Sequence, residues 1–176
     1  MIPVSFVVII GNPRPGSRTA TAATGAARAV AEAAGIPDTP EIIDLSELAP
    51  LLLRPEPADA VAEALDRVLS ADVILVASPT YKGTYTGLLK VFLDRVAGGA
   101  LAGKIALPLL LLGAPQHALA VEVHLRPLLV ELGATVPTPG LALLESELER
   151  LDSVLAEWAA QVVPAVRGAL TAGAAR

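Results

Sequence analysis

Short apolar runs alternate along this chain with longer segments of helical periodicity. Five runs have the length of strands: residues 4–10, 41–43, 73–77 and 104–112, and a fifth at 135–136 and 141–144 that two prolines break. Apart from Ser5, the runs at 4–10 and 73–77 are apolar throughout, as expected of strands buried on both faces. The alternation predicts βαβ units around a parallel sheet.

The helical segments are marked by apolar stripes and by capping residues. Ser17 is a predicted N-cap for a helix that ends near Ala34, where Gly35 can take the left-handed conformation. Two further apolar stripes predict amphipathic helices. The first consists of Val61, Leu65, Val68 and Leu69. The second ends at Gly98-Gly99 and consists of Leu88, Leu89, Phe92, Leu93 and Val96. A last helix is predicted from Glu147 onward and carries Trp158.

Prolines mark two irregular places. Residues 50–57 contain three of them and are predicted to form a surface excursion. The fourth helix, residues 116–132, contains Pro127, whose missing N–H leaves the carbonyl of Val123 without a partner. We therefore expect this helix to kink or bulge.

Composition narrows the class of protein. The chain has 176 residues, 53% of them hydrophobic, which suits one domain over residues 1–176 with a large core. A net charge of −5 argues against nucleic-acid binding, and the absence of cysteine means that redox chemistry would need a cofactor. The N-terminus lacks a basic region before its apolar run, and residues 105–112 are too few to cross a membrane. A cytoplasmic location is expected.

Three loops follow predicted strands and carry the candidate chemistry. They are the first loop, residues 11–19, the second loop, residues 78–87, and the third loop, residues 113–117. In an open parallel sheet, ligands bind beyond the carboxyl ends of the strands, where the strand order reverses. These loops are therefore the predicted ligand site.

The first loop suits a single phosphate. Its glycines, Gly11 and Gly16, have the spacing of a nucleotide-triphosphatase loop, but the lysine of that motif is missing, and the dinucleotide-binding glycine pattern is absent too. Hydroxyls, guanidiniums and backbone N–H groups at a helix start could hold a phosphate dianion; the side chains are Arg14, Ser17, Arg18 and Thr19. The alternative is an ordinary turn with an N-cap and two solvated arginines.

The second loop suits an aromatic ligand. It holds both tyrosines of a chain that is only 3% aromatic, together with Lys82. Backbone groups could meet the edge of a ring, Tyr81 could pack on it, and Lys82 could place a positive charge near a ring that gains electrons. The alternative is a tight strand-to-helix turn with surface tyrosines.

These loops resemble those of the NAD(P)H-dependent FMN reductase family of flavodoxin-like proteins. The residues that carry the resemblance are Gly11-Asn12-Pro13-Arg14, Ser17-Arg18-Thr19 and the run from Ser78 to Lys90, and it continues through residues 117–121 and 125–127. The likeness is greatest to reductases that supply reduced FMN to two-component monooxygenases such as those that desulfonate alkanesulfonates. It implies a flavodoxin-like three-layer sandwich, with helices on both faces of a five-stranded parallel sheet of order 2-1-3-4-5.

The resemblance also implies an FMN site. The first loop would hold the phosphate, the second would line the isoalloxazine ring, and the third would flank its other side. Carried over by position, the cofactor-binding residues are Asn12, Arg14, Ser17, Arg18, Thr19, Pro79, Thr80, Tyr81, Lys82, Gly83, Thr84, Gly113, Ala114, Pro115, Gln116 and His117. In some sulfonate-linked members an aromatic residue lies in a π-bulge at a subunit interface, and Val123 occupies that place here.

The function implied is hydride transfer from NADPH or NADH to FMN, with the reduced flavin passing to a flavin-dependent monooxygenase or another acceptor. No catalytic side chain is assigned, although Lys82 could stabilise charge on reduced flavin. The alternatives are a quinone, azo or chromate reductase with bound FMN, and a flavodoxin-type electron carrier without enzymatic activity. A homodimer or homotetramer is expected. No metal site is predicted, because His117 and His124 are seven residues apart.

Overall fold

The computed structural model describes residues 4–37, 39–56, 58–137 and 139–174. Five parallel strands form one sheet in the order β2-β1-β3-β4-β5. Their bounds are β1 Phe6–Ile10, β2 Glu41–Asp44, β3 Val73–Pro79, β4 Ile105–Leu112 and β5 Leu141–Leu144. The predicted fold class and strand order are thus confirmed.

Helices cover both faces of the sheet. They are α1 Arg18–Ala34, α2 Leu45–Leu48, α3 Asp59–Ser70, α4 Gly87–Leu93, α5 Arg126–Glu131 and α6 Leu151–Ala174. One core joins α1 and α6 to side chains such as Val8 and Leu75, and the other joins the remaining helices to side chains such as Val7 and Ile74. Every residue of β1, β3 and β4 is buried. This two-sided burial explains why those strands read as continuous apolar runs.

Pro108 lies inside β4, where a missing N–H would ordinarily cost a ladder hydrogen bond. The Ala106 N–H donates to the Thr135 carbonyl, on the side of β4 where β5 lies. Because the N–H groups of alternate residues in a strand point the same way, an N–H at position 108 would also point to that side. Regular pairing with β5 begins only at Leu109 and Leu141. Since Pro108 stands before that pairing begins, it leaves no partner on β5 unsatisfied, and it packs close to Gly140 instead.

The irregularity predicted around Pro127 is confirmed and has a defined form. Residues Val121–Leu125 make a π-helical turn that leads directly into α5, and the Arg126 N–H donates to the carbonyl of Val121, five residues earlier. Widening the turn shifts the hydrogen-bond register just before the residue that has no N–H to donate. The helix predicted over residues 116–132 is therefore not continuous: Pro115–His117 is a separate 3₁₀ turn.

Several boundaries differ from the predictions. The final helix starts at Leu151, after a 3₁₀ segment at Glu145–Arg150, and a short helix, α2, directly follows β2. Leu69 was predicted to be on the buried stripe of α3, but it is 39% exposed, because the buried face is formed by Val61, Ala64 and Val68. Trp158 is buried in the core, and its indole N–H donates to the Pro139 carbonyl at 2.9 Å.

The predicted excursion at residues 50–57 begins in a 3₁₀ turn, Ala49–Leu51. Arg95, just after α4, fastens it: its guanidinium donates to the Leu52 carbonyl at 2.6 Å and to the Arg54 carbonyl at 2.9 Å. Pro57 lies outside the described residues, as do Met1–Pro3, on which the prediction about a signal peptide depends.

Candidate functional site

The three loops leave the carboxyl ends of β1, β3 and β4, which are neighbours in the sheet. From β1 the chain crosses to β2 on one side through α1, and it returns over the opposite face through α3 to β3 on the other side. The strand order therefore reverses between β1 and β3. The first and second loops stand at this reversal, which is where an open parallel sheet binds ligands.

Two polar side chains organise the first loop from inside. Asn12 is buried, and its carboxamide accepts from the Arg14 N–H and donates to the Thr19 hydroxyl, both at 3.0 Å. Thr19 has no exposed surface. Both residues are predicted FMN ligands, and in the structure their side chains are bonded to each other.

The outer side of the first loop presents donors. Ser17 caps α1 as predicted, since its hydroxyl oxygen accepts from the Ala20 N–H at 3.2 Å. Gly16, at φ 60, turns the chain into the helix, and Arg14 is exposed. Among the residues that the structure describes, none accepts a hydrogen bond from the backbone N–H groups of residues 16–19. This is a set of donors suited to an anion at a helix N-terminus.

Arg18 is predicted to hold phosphate, and the structure pairs it with Glu145, at 2.9 Å between Nη2 and Oε1. Glu145 follows β5 at the same edge of the sheet, so the ion pair spans the carboxyl ends of the strands. Nearby, the Glu147 carboxylate accepts from the Leu144 N–H at 3.0 Å.

A two-residue hairpin forms the centre of the second loop. Tyr81 and Thr84 are joined by both backbone hydrogen bonds, of 2.8 and 3.3 Å. The two residues between them have positive φ, 54° at Lys82 and 83° at Gly83, as in a type I′ turn. Lys82 is the one residue other than glycine with positive φ in the described part of the chain. Such backbone strain costs ~1–3 kcal/mol and is often kept at functional sites.

Thr80 contributes a polar atom without a protein partner. Its backbone N–H donates to the Leu111 carbonyl at 2.9 Å, which holds the start of the second loop against the end of β4. Its hydroxyl oxygen is buried and makes no hydrogen bond within the described residues. The Ser46 hydroxyl in α2 is the other buried side-chain oxygen in this condition among the described residues, and Thr80 is the one that lies in a predicted ligand loop.

Sequence reasoning did not assign a role to Thr86 or Ser78. The Thr86 hydroxyl donates to the Gly11 carbonyl at 2.5 Å and accepts from the Leu89 N–H at 3.2 Å, so it joins the two loops and caps α4. The Ser78 hydroxyl accepts from the Thr86 N–H at 2.9 Å. A threonine directly before an apolar helical stripe is an N-cap pattern and could have identified this residue.

The third loop is shaped by backbone hydrogen bonds rather than by hydrogen bonds from side chains. Gly113, Pro115 and Gln116 are exposed, and Pro115–His117 is held as a 3₁₀ turn by backbone bonds such as His117 N–H to Ala114 C=O at 3.2 Å.

In the described part of the chain, no three histidine, aspartate or glutamate side chains are grouped as metal ligands would be. None of its helices combines the length and apolar character needed to span a membrane.

Comparison with known proteins identifies the family. A profile of NADPH-dependent FMN reductase matches residues 4–149. The chain belongs to the NADPH-dependent FMN reductase family. The match covers all three loops and the sheet that carries them.

Individual members show the same relationship. The NADH-dependent FMN reductase SfnE of Pseudomonas putida is 32% identical over 150 residues, which are 83% of this chain and 80% of SfnE. The apo form of EmoB, an NADH:FMN oxidoreductase, is 31% identical, with a TM-score of 0.70 over 90% of each chain. An FMN reductase (NADPH) of Escherichia coli strain K12 is 44% identical over 69 residues, 39% of this chain and 36% of that enzyme. The match to the FMN reductase (NADPH) of Pseudomonas aeruginosa likewise spans only 52% of that enzyme.

Proposed function

We propose that this chain is an NAD(P)H-dependent FMN reductase that binds FMN across its first and second loops. The observation that carries the proposal is that, within the described residues, polar groups without protein partners lie at two neighbouring strand ends. Free N–H groups of residues 16–19 stand after β1, and the buried Thr80 hydroxyl stands after β3. One ligand with a phosphate and a polar-edged ring would supply partners to both.

The residues present fit FMN. The first-loop N–H groups, the Ser17 hydroxyl and the exposed Arg14 would hold the phosphate, and Arg18 would join them by leaving Glu145. Asn12 and Thr19 would act from within, because their bond fixes the turn that presents those donors. This set of groups matches a dianion on one side and a flat ring on the other.

On the ring side, Pro79 to Thr84 would line the isoalloxazine, with the Thr80 hydroxyl as a hydrogen-bonding partner and Tyr81 as an apolar surface. Tyr81 is 44% exposed, so part of its ring is available for contact. Residues 113–117 would flank the opposite side. The chemistry that FMN supplies when bound is acceptance of a hydride from a nicotinamide, which needs no acid or base from the protein. The role left to Lys82 is electrostatic: its ammonium would stabilise negative charge at the ring edge.

Reduced flavin would then pass to an acceptor. A flavin-dependent monooxygenase is the acceptor we propose, since relatives named SfnE and SfnF are NADH-dependent FMN reductases of the kind that the sequence resembles. A homodimer or homotetramer, a single domain over residues 1–176 and a cytoplasmic location remain part of the same proposal.

The decisive test combines flavin binding with nucleotide oxidation. Purified protein is titrated with FMN and its absorbance recorded, and oxidation of NADH and of NADPH is followed in air with and without FMN. We expect weakly held FMN and flavin-dependent oxidation. Protein that stays yellow through purification would support a quinone- or azo-type reductase instead. FMN binding without oxidation would support an electron carrier, and no binding would reject the site.

A matched pair of variants tests the phosphate assignment. Arg14→Ala and Arg28→Ala remove the same charge from exposed arginines, one in the first loop and one along α1. We expect Arg14→Ala to weaken FMN binding by about tenfold, as loss of a charge-assisted hydrogen bond would. Arg28→Ala should bind FMN as the unaltered protein does. Equal affinity in both variants would remove Arg14 from the site.

A further inference from the structure

Buried polar side chains are concentrated in one place in this molecule. In the described part of the chain they are Asn12, Thr19, Ser78 and Thr86, and all four belong to the first and second loops. Burying a hydroxyl or an amide is unfavourable unless it is hydrogen-bonded, so a cluster of them in an otherwise apolar core indicates a specific task.

Within this cluster, Thr86 is the side chain that connects the two loops. Its hydroxyl has one proton to donate and uses it on the Gly11 carbonyl, 75 positions away in the sequence. Its oxygen accepts the Leu89 N–H in the first turn of α4. Its backbone N–H is taken up by the Ser78 hydroxyl, which in turn donates to the Pro79 carbonyl at 2.8 Å. The hydroxyl and the backbone N–H of Thr86 are thus both paired within the protein, and neither is available to a ligand.

The contact fixes the spacing of two half-sites. Gly11 is the first residue of the proposed phosphate-binding loop, and Ser78 and Pro79 begin the loop proposed to line the ring. Gly11 is also held by its own N–H, which donates to the Ala77 carbonyl at 2.7 Å. A ligand that must touch both loops binds more tightly when their separation is set in advance, because less ordering remains to be done on binding.

We propose that Thr86 is a positioning residue that sets the first loop against the second, so that the phosphate and the ring of FMN are bound as one unit. The proposal rests on the function proposed above. Thr86 would touch neither half of the ligand, because its own polar groups are already paired. Its effect is on the additional affinity that FMN gains by contacting both loops at once.

Comparing FMN with riboflavin isolates this effect, because riboflavin has the ring and lacks the phosphate. Dissociation constants for both flavins are measured by quenching of flavin fluorescence in the unaltered protein, in Thr86→Val and in Thr86→Ser. Valine keeps the shape and loses the hydroxyl, whereas serine retains it. We expect Thr86→Val to weaken FMN binding about tenfold and riboflavin binding about twofold or less, and Thr86→Ser to restore most of the difference.

The control is Val68→Ala, which opens a cavity in α3 next to the start of β3, at the opposite end of the sheet. It should lower the melting temperature while leaving the ratio of the two affinities unchanged, so loss of stability alone is distinguished from loss of positioning. If Thr86→Val does not fold, Thr86→Ala replaces it. Alanine also lacks the hydroxyl and buries no charge, so the same fall in the ratio is expected.

The outcomes separate the two proposals. If the unaltered protein does not bind FMN, the proposed function fails and this inference with it. If it binds FMN and Thr86→Val keeps the unaltered ratio, or serine does not restore it, Thr86 is not a positioning residue while the function stands. Should riboflavin bind too weakly to measure, the fall in FMN affinity and its recovery in Thr86→Ser decide the question.

Discussion

The first and second loops are built differently from the third loop, although all three leave neighbouring strands. A buried side chain bonds the first two loops to each other, through the Thr86 hydroxyl and the Gly11 carbonyl, and the bond from Asn12 to Thr19 fixes the first loop internally. The third loop is exposed and is shaped by backbone hydrogen bonds within residues 114–118. One side of the candidate site is therefore preorganised, and the other has few contacts that fix it.

This difference suggests separate roles in ligand binding for the fixed loops and for the exposed loop. Donors that must meet a phosphate and a ring edge gain from a fixed geometry, since ordering them on binding would cost affinity. An exposed loop can adjust its shape more readily, because local structure with few buried contacts opens at low cost. Single substitutions on the two sides should therefore differ in their effects on stability and binding.

The largest effect is expected from Gly11→Ala. A Cβ at this position would lie 2.7 Å from Leu89 Cβ and 3.3 Å from the Ala77 carbonyl oxygen, so α4 would have to move away from β1. We expect a loss of stability of about 2 kcal/mol, as in other overpacked sites, and FMN binding weakened by at least about tenfold. Chemical denaturation and flavin titration measure the two.

Gly113→Ala in the third loop is the matched comparison for stability. No atom lies within 4 Å of the Cβ that it would add. Its free energy of unfolding should stay within about 0.5 kcal/mol of the unaltered protein, as for an ordinary surface substitution. If both glycine variants lose the same stability, the two sides of the site are equally tightly packed and the comparison fails.

A smaller effect, with opposite signs for stability and activity, is expected from Lys82→Asn. Asparagine tolerates the left-handed conformation that Lys82 adopts at φ 54, so the turn should gain about 0.5–1 kcal/mol. Loss of the ammonium should lower kcat/KM for nucleotide oxidation about tenfold, or ~1.4 kcal/mol of transition-state stabilisation. Thermal unfolding and steady-state kinetics test the two halves separately. Unchanged kinetics would remove Lys82 from the site.

Much of this fold is predictable from the sequence because its pattern is strong. Strands buried on both faces leave continuous apolar runs, and Pro127 marks the π-helical turn that precedes it. Leu69 was misplaced because a stripe of apolar residues does not show where its edge meets solvent. The start of the last helix was misplaced because Glu145–Arg150 first forms a 3₁₀ segment, and short helices of both kinds share the same capping residues.

The site is predictable as a set of loops and less so as a set of roles. Asn12 and Thr19 could be assigned to the first loop, but their bond to each other depends on how tightly the loop turns. The link from Thr86 to Gly11 joins residues that are far apart in sequence, so no local pattern reveals it. The pairing of Arg18 with Glu145 likewise arises only when β5 is placed beside β4.

That pairing leads to a third and smaller prediction. In the proposed site Glu145 would compete with phosphate for Arg18, and the pair is open to solvent, with Arg18 64% and Glu145 38% exposed. Glu145→Gln should therefore change stability by less than about 1 kcal/mol, since exposed ion pairs contribute little. It should tighten FMN binding about two- to fivefold by freeing the guanidinium. Glu149→Gln, at an exposed glutamate on the same segment, is the control for the change in charge. Equal affinities in the two variants would contradict a role for Arg18 in phosphate binding.

The smallest effect concerns the segment between the π-helical turn and β5, which lies beyond the third loop in the chain. The Arg126 guanidinium hydrogen-bonds Glu122 and lowers the pKa of that carboxyl, opposed by partial burial and helped by the Gly140 N–H. Arg126 also donates to the carbonyls of Val136 and Pro137, so the pair fastens the chain that enters β5.

Because the pKa of Glu122 is lower in the folded protein than in the unfolded chain, its contribution to stability is complete above the unfolded value of ~4.3 and is lost as the pH falls through the folded value. Glu122→Gln should therefore lower stability by about 1 kcal/mol or less at pH 7, and the difference from the unaltered protein should shrink below about pH 4. Unfolding in urea at pH 7 and at pH 3.5 measures this. A difference that does not change with pH would show that Glu122 stabilises the segment through shape and neutral hydrogen bonds, and the carboxylate charge would then have no part in fastening β5 to the π-helical turn.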